Sequence, residues 1–180
     1  MIPARNVLRV YNVLEVTRAP YKTIQPHIEH LQSLLKVRPN KVPSGDKHGD
    51  RYDKLEQLPD YPSRNAGHLL QVKMGYIDAT WGSGLFYISQ FVQGIGEAPN
   101  NEELVYLFQG LTKDEKYYVS ADFRITHPSI PNALREVPKT RQEADDLTER
   151  IVSTLSKQAD DSFTPSLRKI REWVSTLKIE

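Results

Sequence analysis

A chain of 180 residues that is 38% apolar and 26% charged has the composition of one globular domain with a sizeable core, not of a disordered segment. Its formal net charge of +1, with both signs interspersed, excludes the clustered Lys and Arg of a general polyanion binder, so nucleic acid is not an expected partner. The absence of cysteine excludes disulfides, thiolate metal sites and cysteine nucleophiles, and no apolar run approaches the roughly 18 residues of a membrane span.

Residues 7–13 are rich in β-branched and aromatic side chains and predict a first strand, broken by Arg18, Ala19 and Pro20. The period then changes. Ile24, Ile28, Leu31, Leu34 and Leu35 recur at helical spacing, with Thr23 as the cap, Pro26 in the first turn and Pro39 as the stop. Residues 38–65 show little periodicity and much Pro, Gly, Asp and Lys, which predicts a long surface loop with one helical turn near 52–58.

Residues 69–77 predict a strand with Leu70, Val72, Met74 and Tyr76 on one face and Gln71, Lys73 and Gly75 on the other. Gly82-Ser83-Gly84 reads as a tight connection into strands over 85–93, 104–111 and 117–126. In the last of these Tyr117, Val119, Ala121, Phe123 and Ile125 alternate with polar residues, as a strand with one buried and one wet face requires. The charged connection over 112–116 is too short for a parallel crossover, which needs about a dozen residues, so these last two strands form an antiparallel hairpin.

Thr140 and Glu143 form a capping-box pattern ahead of Leu147, Ile151 and Leu155, predicting a helix over 141–158. A second helix is expected to open at Thr164-Pro165 and to carry Leu167, Ile170, Val174 and Leu177 as its stripe. The order β-α-long loop-β-β-β-β-α-α predicts one α+β domain over residues 1–180. Its core would be an antiparallel sheet of about five strands with helices packed on one face.

Signs of chemistry are sparse. His27 and His30 share a helix face but lack a third ligand at recognisable spacing, so they read as exposed histidines. Asp46, His48, Asp50 and Asp53 miss the calcium-loop pattern, with His at the third position and Arg51 where the turn needs Gly. Gly82-Ser83-Gly84 and Gly94-Ile95-Gly96 do not continue into a phosphate-binding helix, and there is no Gly-x-Ser-x-Gly elbow. No metal, cofactor or catalytic residue is assigned. The aromatics Tyr76, Trp81, Tyr87, Tyr106, Tyr117 and Tyr118 gather around the central strands and suit a binding surface. That surface is expected at Trp81 and on the polar face formed by Tyr118, Asp122 and Arg124.

The words Gly82-Ser83-Gly84 with the strand 85–91, Tyr106-Leu107-Phe108-Gln109-Gly110-Leu111-Thr112, Tyr117-Tyr118-Val119-Ser120-Ala121 and His127-Pro128-Ser129-Ile130-Pro131 resemble a family of uncharacterised bacterial secreted proteins and lipoproteins. The likeness extends to Val10-Tyr11-Asn12-Val13, Leu31-Gln32-Ser33-Leu34-Leu35 and Thr164-Pro165-Ser166-Leu167. Where that family often has Arg soon after the glycine pair, this chain has Phe86, which speaks against anion binding there. The resemblance implies a place outside the cytoplasm, secreted or envelope-anchored, with the leader absent from the chain as given, since Met1-Ile2-Pro3-Ala4-Arg5 lacks the apolar core of one. A cytoplasmic location is the alternative.

With no catalytic motif, the expected function is a non-catalytic binding or protein-interaction module of cell-envelope type. Its partner would be a protein or a small molecule. The alternatives are a hydrolase whose cleft is roofed by residues 38–65 and a structural subunit of a larger complex.

Overall fold

The computed structural model describes residues 6–18, 24–40, 58–62, 64, 66–93, 97–132 and 138–179. Five strands, β1 (Val7–Asn12), β2 (Gly67–Asp78), β3 (Gly82–Val92), β4 (Val105–Thr112) and β5 (Tyr117–Arg124), form one sheet in the order β1-β5-β4-β3-β2. Every pairing is antiparallel. The chain therefore lays down one edge, crosses to the other, and returns as a meander of adjacent strands. The expected class, α+β on a five-stranded antiparallel sheet, is what the molecule has.

The helices are α1 (Val13–Arg18), α2 (Gln25–Val37), α3 (Arg141–Lys157) and α4 (Leu167–Ser175), with a single 3-10 turn at Asp160–Ser162 before α4. They do not lie on one face as expected. Because side chains alternate along a strand, Phe86, Ile88, Phe108, Val119 and Ala121 meet Ile151, Leu155, Ile170 and Val174 of α3 and α4. The other parity, Leu85, Tyr87, Leu107, Leu111 and Tyr118, meets Ile28, Leu31 and Leu34 of α2. A crossover that joins opposite edges of a sheet must pass over one face, and here its helix covers the face that α3 and α4 leave open.

That second layer changes the character of β5. Tyr118, Ser120 and Asp122, expected to face water, are buried under it. It also accounts for the continuous burial of β4, which is apolar on both faces except at Gln109 and Thr112.

Local signals decide the helix ends. Thr140 caps α3 by accepting from the Glu143 N–H at 3.2 Å, the first half of the expected capping box, while the Glu143 carboxylate accepts at 2.8 Å from the N–H of Lys139, one residue ahead of the cap. Helix α4 opens later than expected: Ser166 is its cap, accepting from the Lys169 N–H at 3.3 Å, and Thr164 is held in a bridge to Thr126. Arg38 ends α2 in the left-handed region (φ 51°), its N–H donating to the Leu34 carbonyl. The short α1 was hidden in sequence behind the β-branched run; Asn12 caps it through the Glu15 N–H at 3.3 Å.

Two glycines read as a turn lie inside β3. A Cβ on Gly84 would stand 2.2 Å from the Phe108 ring, and one on Gly82 would stand 2.0 Å from the Leu111 carbonyl oxygen. They are there because a neighbouring strand and its aromatic ring come too close for any other residue. Thr23, the helical turn expected near 52–58 (apart from Leu58), the calcium-like residues 46–53 and the second glycine pair fall outside the described residues. Among those described, no helix is long and apolar enough to cross a membrane.

Candidate functional site

The regular alternation expected for β2 breaks midway. The register slips between Val72 and Gly75, a β-bulge in which Lys73 takes a φ of 55°. Before it, Leu70 and Val72 face α3 and α4; after it, Met74 and Tyr76 pack toward α2. Since β2 is an edge strand, the bulge opens a cleft of about 750 Å³ around that edge, lined among others by Gln71, Lys73, Tyr76, Ser156, Asp160 and Arg171.

Two kinds of polar group line this cleft. Lys73 Nζ donates to the Gln158 carbonyl at 2.7 Å and pairs with Asp160 at 3.1 Å, and Arg171 donates to the Tyr106 hydroxyl at 2.8 Å and to the other Asp160 oxygen. Burial pushes Asp160 up, but hydrogen bonds from Arg171 and Lys73 outweigh it and hold the carboxyl below its ordinary range. It is an acceptor at neutral pH, not a proton donor. Gln71 differs: it is 7% exposed, and neither its amide nitrogen nor its amide oxygen has a hydrogen-bond partner.

A second polar cluster lies under residues 58–62 and Arg64 on the α2 face. Arg64 joins Asp60 at 2.5 Å to Asp122 at 2.8 Å, and Arg9 reaches Asp122 from β1 at 3.0 Å. The segment is tied down by the Tyr87 hydroxyl donating to the Pro59 carbonyl, by His27 Nδ1 accepting from the Asp60 N–H, and by Gln109 Oε1 accepting from the Tyr61 N–H. His27 is thus half-buried with a structural bond, where the sequence suggested an exposed histidine. Burial pushes Asp60 up to about 6 against the pull of Arg64. Asp60 and Asp122 are buried, while Arg64 and Arg9, which pair with them, are only partly so.

Of the residues expected to form a binding surface, Tyr118 and Asp122 are fully buried at this second cluster, where the Tyr118 hydroxyl donates to Gln109 Oε1 at 2.7 Å. Arg124 lies further along the same strand and donates to the Glu102 carbonyl. Trp81 is on the opposite face, its Nε1 donating to the Val174 carbonyl at 3.0 Å and its ring set edge-on to Phe108. The sheet therefore separates Trp81 from the other three. Sequence reasoning missed Gln71, Lys73, Asp160 and Arg171; the one available signal was Gln71, a polar residue beside the apolar Leu69, Leu70 and Val72. Among the described residues, no three potential ligands come together to hold a metal ion. No family model, curated protein or solved structure matches the chain.

Proposed function

We propose that the chain is a non-catalytic, extracytoplasmic binding module whose ligand is a small polar molecule seated in the cleft beside β2. Gln71 carries this reading. Burying an amide without partners costs about 1–3 kcal/mol for each unsatisfied group, and a ligand that pairs with it offsets that cost. The volume of about 750 Å³ falls within the range of about 300–1,000 Å³ usual for small-molecule sites. The cleft's carboxylate is engaged by two cations, which suits orientation of a ligand better than proton transfer. The place outside the cytoplasm rests on the family resemblance.

Gly75 provides the test. It lines the cleft, and a Cβ added there meets nothing within 4 Å, so the side chain of Gly75→Leu starts in open space at the cleft wall. Ligand-observed NMR of a panel of polar small molecules against both proteins should find binders that the leucine variant loses while its melting temperature is unchanged. Binders that survive Gly75→Leu would contradict the proposal.

A further inference from the structure

We infer that Ser129 is a nucleophile held ready by His127, and that it takes an acyl group from an activated donor, an ester or thioester with a good leaving group. The inference does not depend on what the β2-edge cleft binds. It concerns the word His127-Pro128-Ser129-Ile130-Pro131 that follows β5, and it comes from where each proton in that cluster must lie.

The Ser162 hydroxyl donates to the Ala159 carbonyl at 2.6 Å, and a carbonyl only accepts, so toward His127 Nε2, 2.9 Å away, Ser162 Oγ is the acceptor. Nε2 therefore carries the ring proton. Nδ1 is then the bare nitrogen, and independently it accepts from the Ser129 N–H at 3.2 Å. The Ser129 hydroxyl, 2.6 Å from Nδ1, directs its proton at the same lone pair. A serine hydroxyl on a neutral imidazole whose far N–H is fixed by a third group is the arrangement that activates a nucleophile.

The turn is rigid. Asn101, itself buried, accepts from the His127 N–H at 2.8 Å and donates to the His127 and Ile130 carbonyls at 3.0 and 2.6 Å. The imidazole lies against the Phe163 ring, with centroids 4.7 Å apart. His127 is 3% exposed while Ser129 is exposed, so the base is shielded and the nucleophile can be reached. Ser89, 2.7 Å from His68, is different: it is fully buried and gives its proton to the Leu70 carbonyl at 2.8 Å. Burial first and Lys73 second lower the pKa of His127, which keeps it a neutral base at pH 7. Of the nearby carboxylates, Asp160 pairs with Lys73 and Asp161 with Arg168.

In the step, Ser129 Oγ bonds to the acyl carbon, the bond from that carbon to the leaving oxygen or sulfur breaks, and the Oγ proton passes to Nδ1 and on to the departing anion. The local backbone donors are already used, the Ser129 N–H on Nδ1 and the Ile130 N–H on the His127 carbonyl at 3.0 Å. Neither serves as an oxyanion hole, so the donor must bring its own activation, and the unactivated serine ester that results hydrolyses slowly. Ser129 is modified once and keeps the group, which agrees with a protein that turns over no substrate.

The test is p-nitrophenyl acetate on the full chain, with peptide mapping by mass spectrometry to place the acetyl group, in wild type, Ser129→Ala, His127→Gln and Ser162→Ala. Ser129 should be acetylated ahead of the other exposed serines, and no serine should replace it in Ser129→Ala. His127→Gln should slow the reaction about a hundredfold. The Ser129 rate should titrate with a midpoint below about 6.5. Ser162→Ala removes the acceptor that steadies the imidazolium, so it should lower that midpoint as well as the rate, a change that a purely structural role for Ser162 would not produce. Thermal melts show whether His127→Gln is folded, and if it is not, the pH profile and Ser162→Ala decide. Acetylation of Ser129 no faster than that of other serines, a rate unchanged in folded His127→Gln, or a Ser129 rate that keeps climbing above about pH 8 as for a free hydroxyl would overturn the inference.

Discussion

Replacing Gln71 with methionine should make this protein more stable, against the usual direction for a buried position. Most substitutions destabilise by about 1 kcal/mol. Gln71, however, holds two polar atoms away from water with no partner for either, and each such atom carries a penalty of about 1–3 kcal/mol. Methionine is unbranched, similar in length and adaptable to an irregular site. A net gain of about 2 kcal/mol allows for imperfect packing, and in a chain of this size it corresponds to about 4–8 °C in melting temperature. Urea unfolding should show a higher midpoint at an unchanged slope, because the surface exposed on unfolding is the same. The same variant should lose the ligand. A methionine variant that melts at or below the wild-type temperature would mean that the amide is satisfied in solution, and the reason for assigning the cleft to a ligand would go with it.

Other consequences follow from the internal charges and the close strand contacts. Asp60 is pushed up to about 6 by burial, so the folded state holds its proton more tightly than the unfolded chain does, and stability falls as pH rises from about 4 to 6. His68, which sits against Ser89 at 2.7 Å, is lowered to about 4 by burial first and Arg64 second, so stability rises with pH over about 4 to 6.5. Each amounts to roughly 3 kcal/mol by linkage, and the two oppose each other. His27 and His127 are lowered as well and add to the rise, so relative to wild type Asp60→Asn should gain stability with pH more steeply and His68→Gln less steeply; denaturant midpoints between pH 4 and 7 check the signs. Arg64→Met strands Asp60 and weakens the hold on Asp122, and should cost about 3–5 kcal/mol in chemical denaturation. Gly82→Ala should destabilise by about 1–3 kcal/mol or more, since its methyl meets the Leu111 backbone, whereas Gly75→Ala should stay within about 0.5 kcal/mol because its methyl meets open space.

The sheet was legible because the strands announce themselves locally. Alternation in β5, a five-residue charged connection and glycine-bounded apolar runs are short-range signals, and the capping box of α3 is another. What a single chain cannot display is which face a distant helix will cover. The wet face expected for Tyr118, Ser120 and Asp122 is covered by α2, residues 58–62 and Arg64, which lie far away in sequence. The bulge at Lys73 was equally hidden, because period-two alternation reads the same with or without an extra residue until the partner strand is known. That one residue shifts Met74 and Tyr76 to the opposite face from Val72 and opens the cleft. Lys73, Asp160 and Arg171 are brought together from the edge strand, a 3-10 turn and α4, a convergence with no local spacing to betray it. The aromatic character of Trp81 serves a core as well as a surface, and here its indole N–H is spent on α4.

The most direct test of the cleft as the functional site is a crystal structure of the chain soaked with small polar fragments that include carboxylates and phosphates. Fragment density is expected in the cleft beside β2, hydrogen-bonded to the Gln71 amide. Fragments gathered instead in the apolar groove between Leu8, Phe123 and Trp173, with the β2 edge unoccupied at every soak, would contradict it.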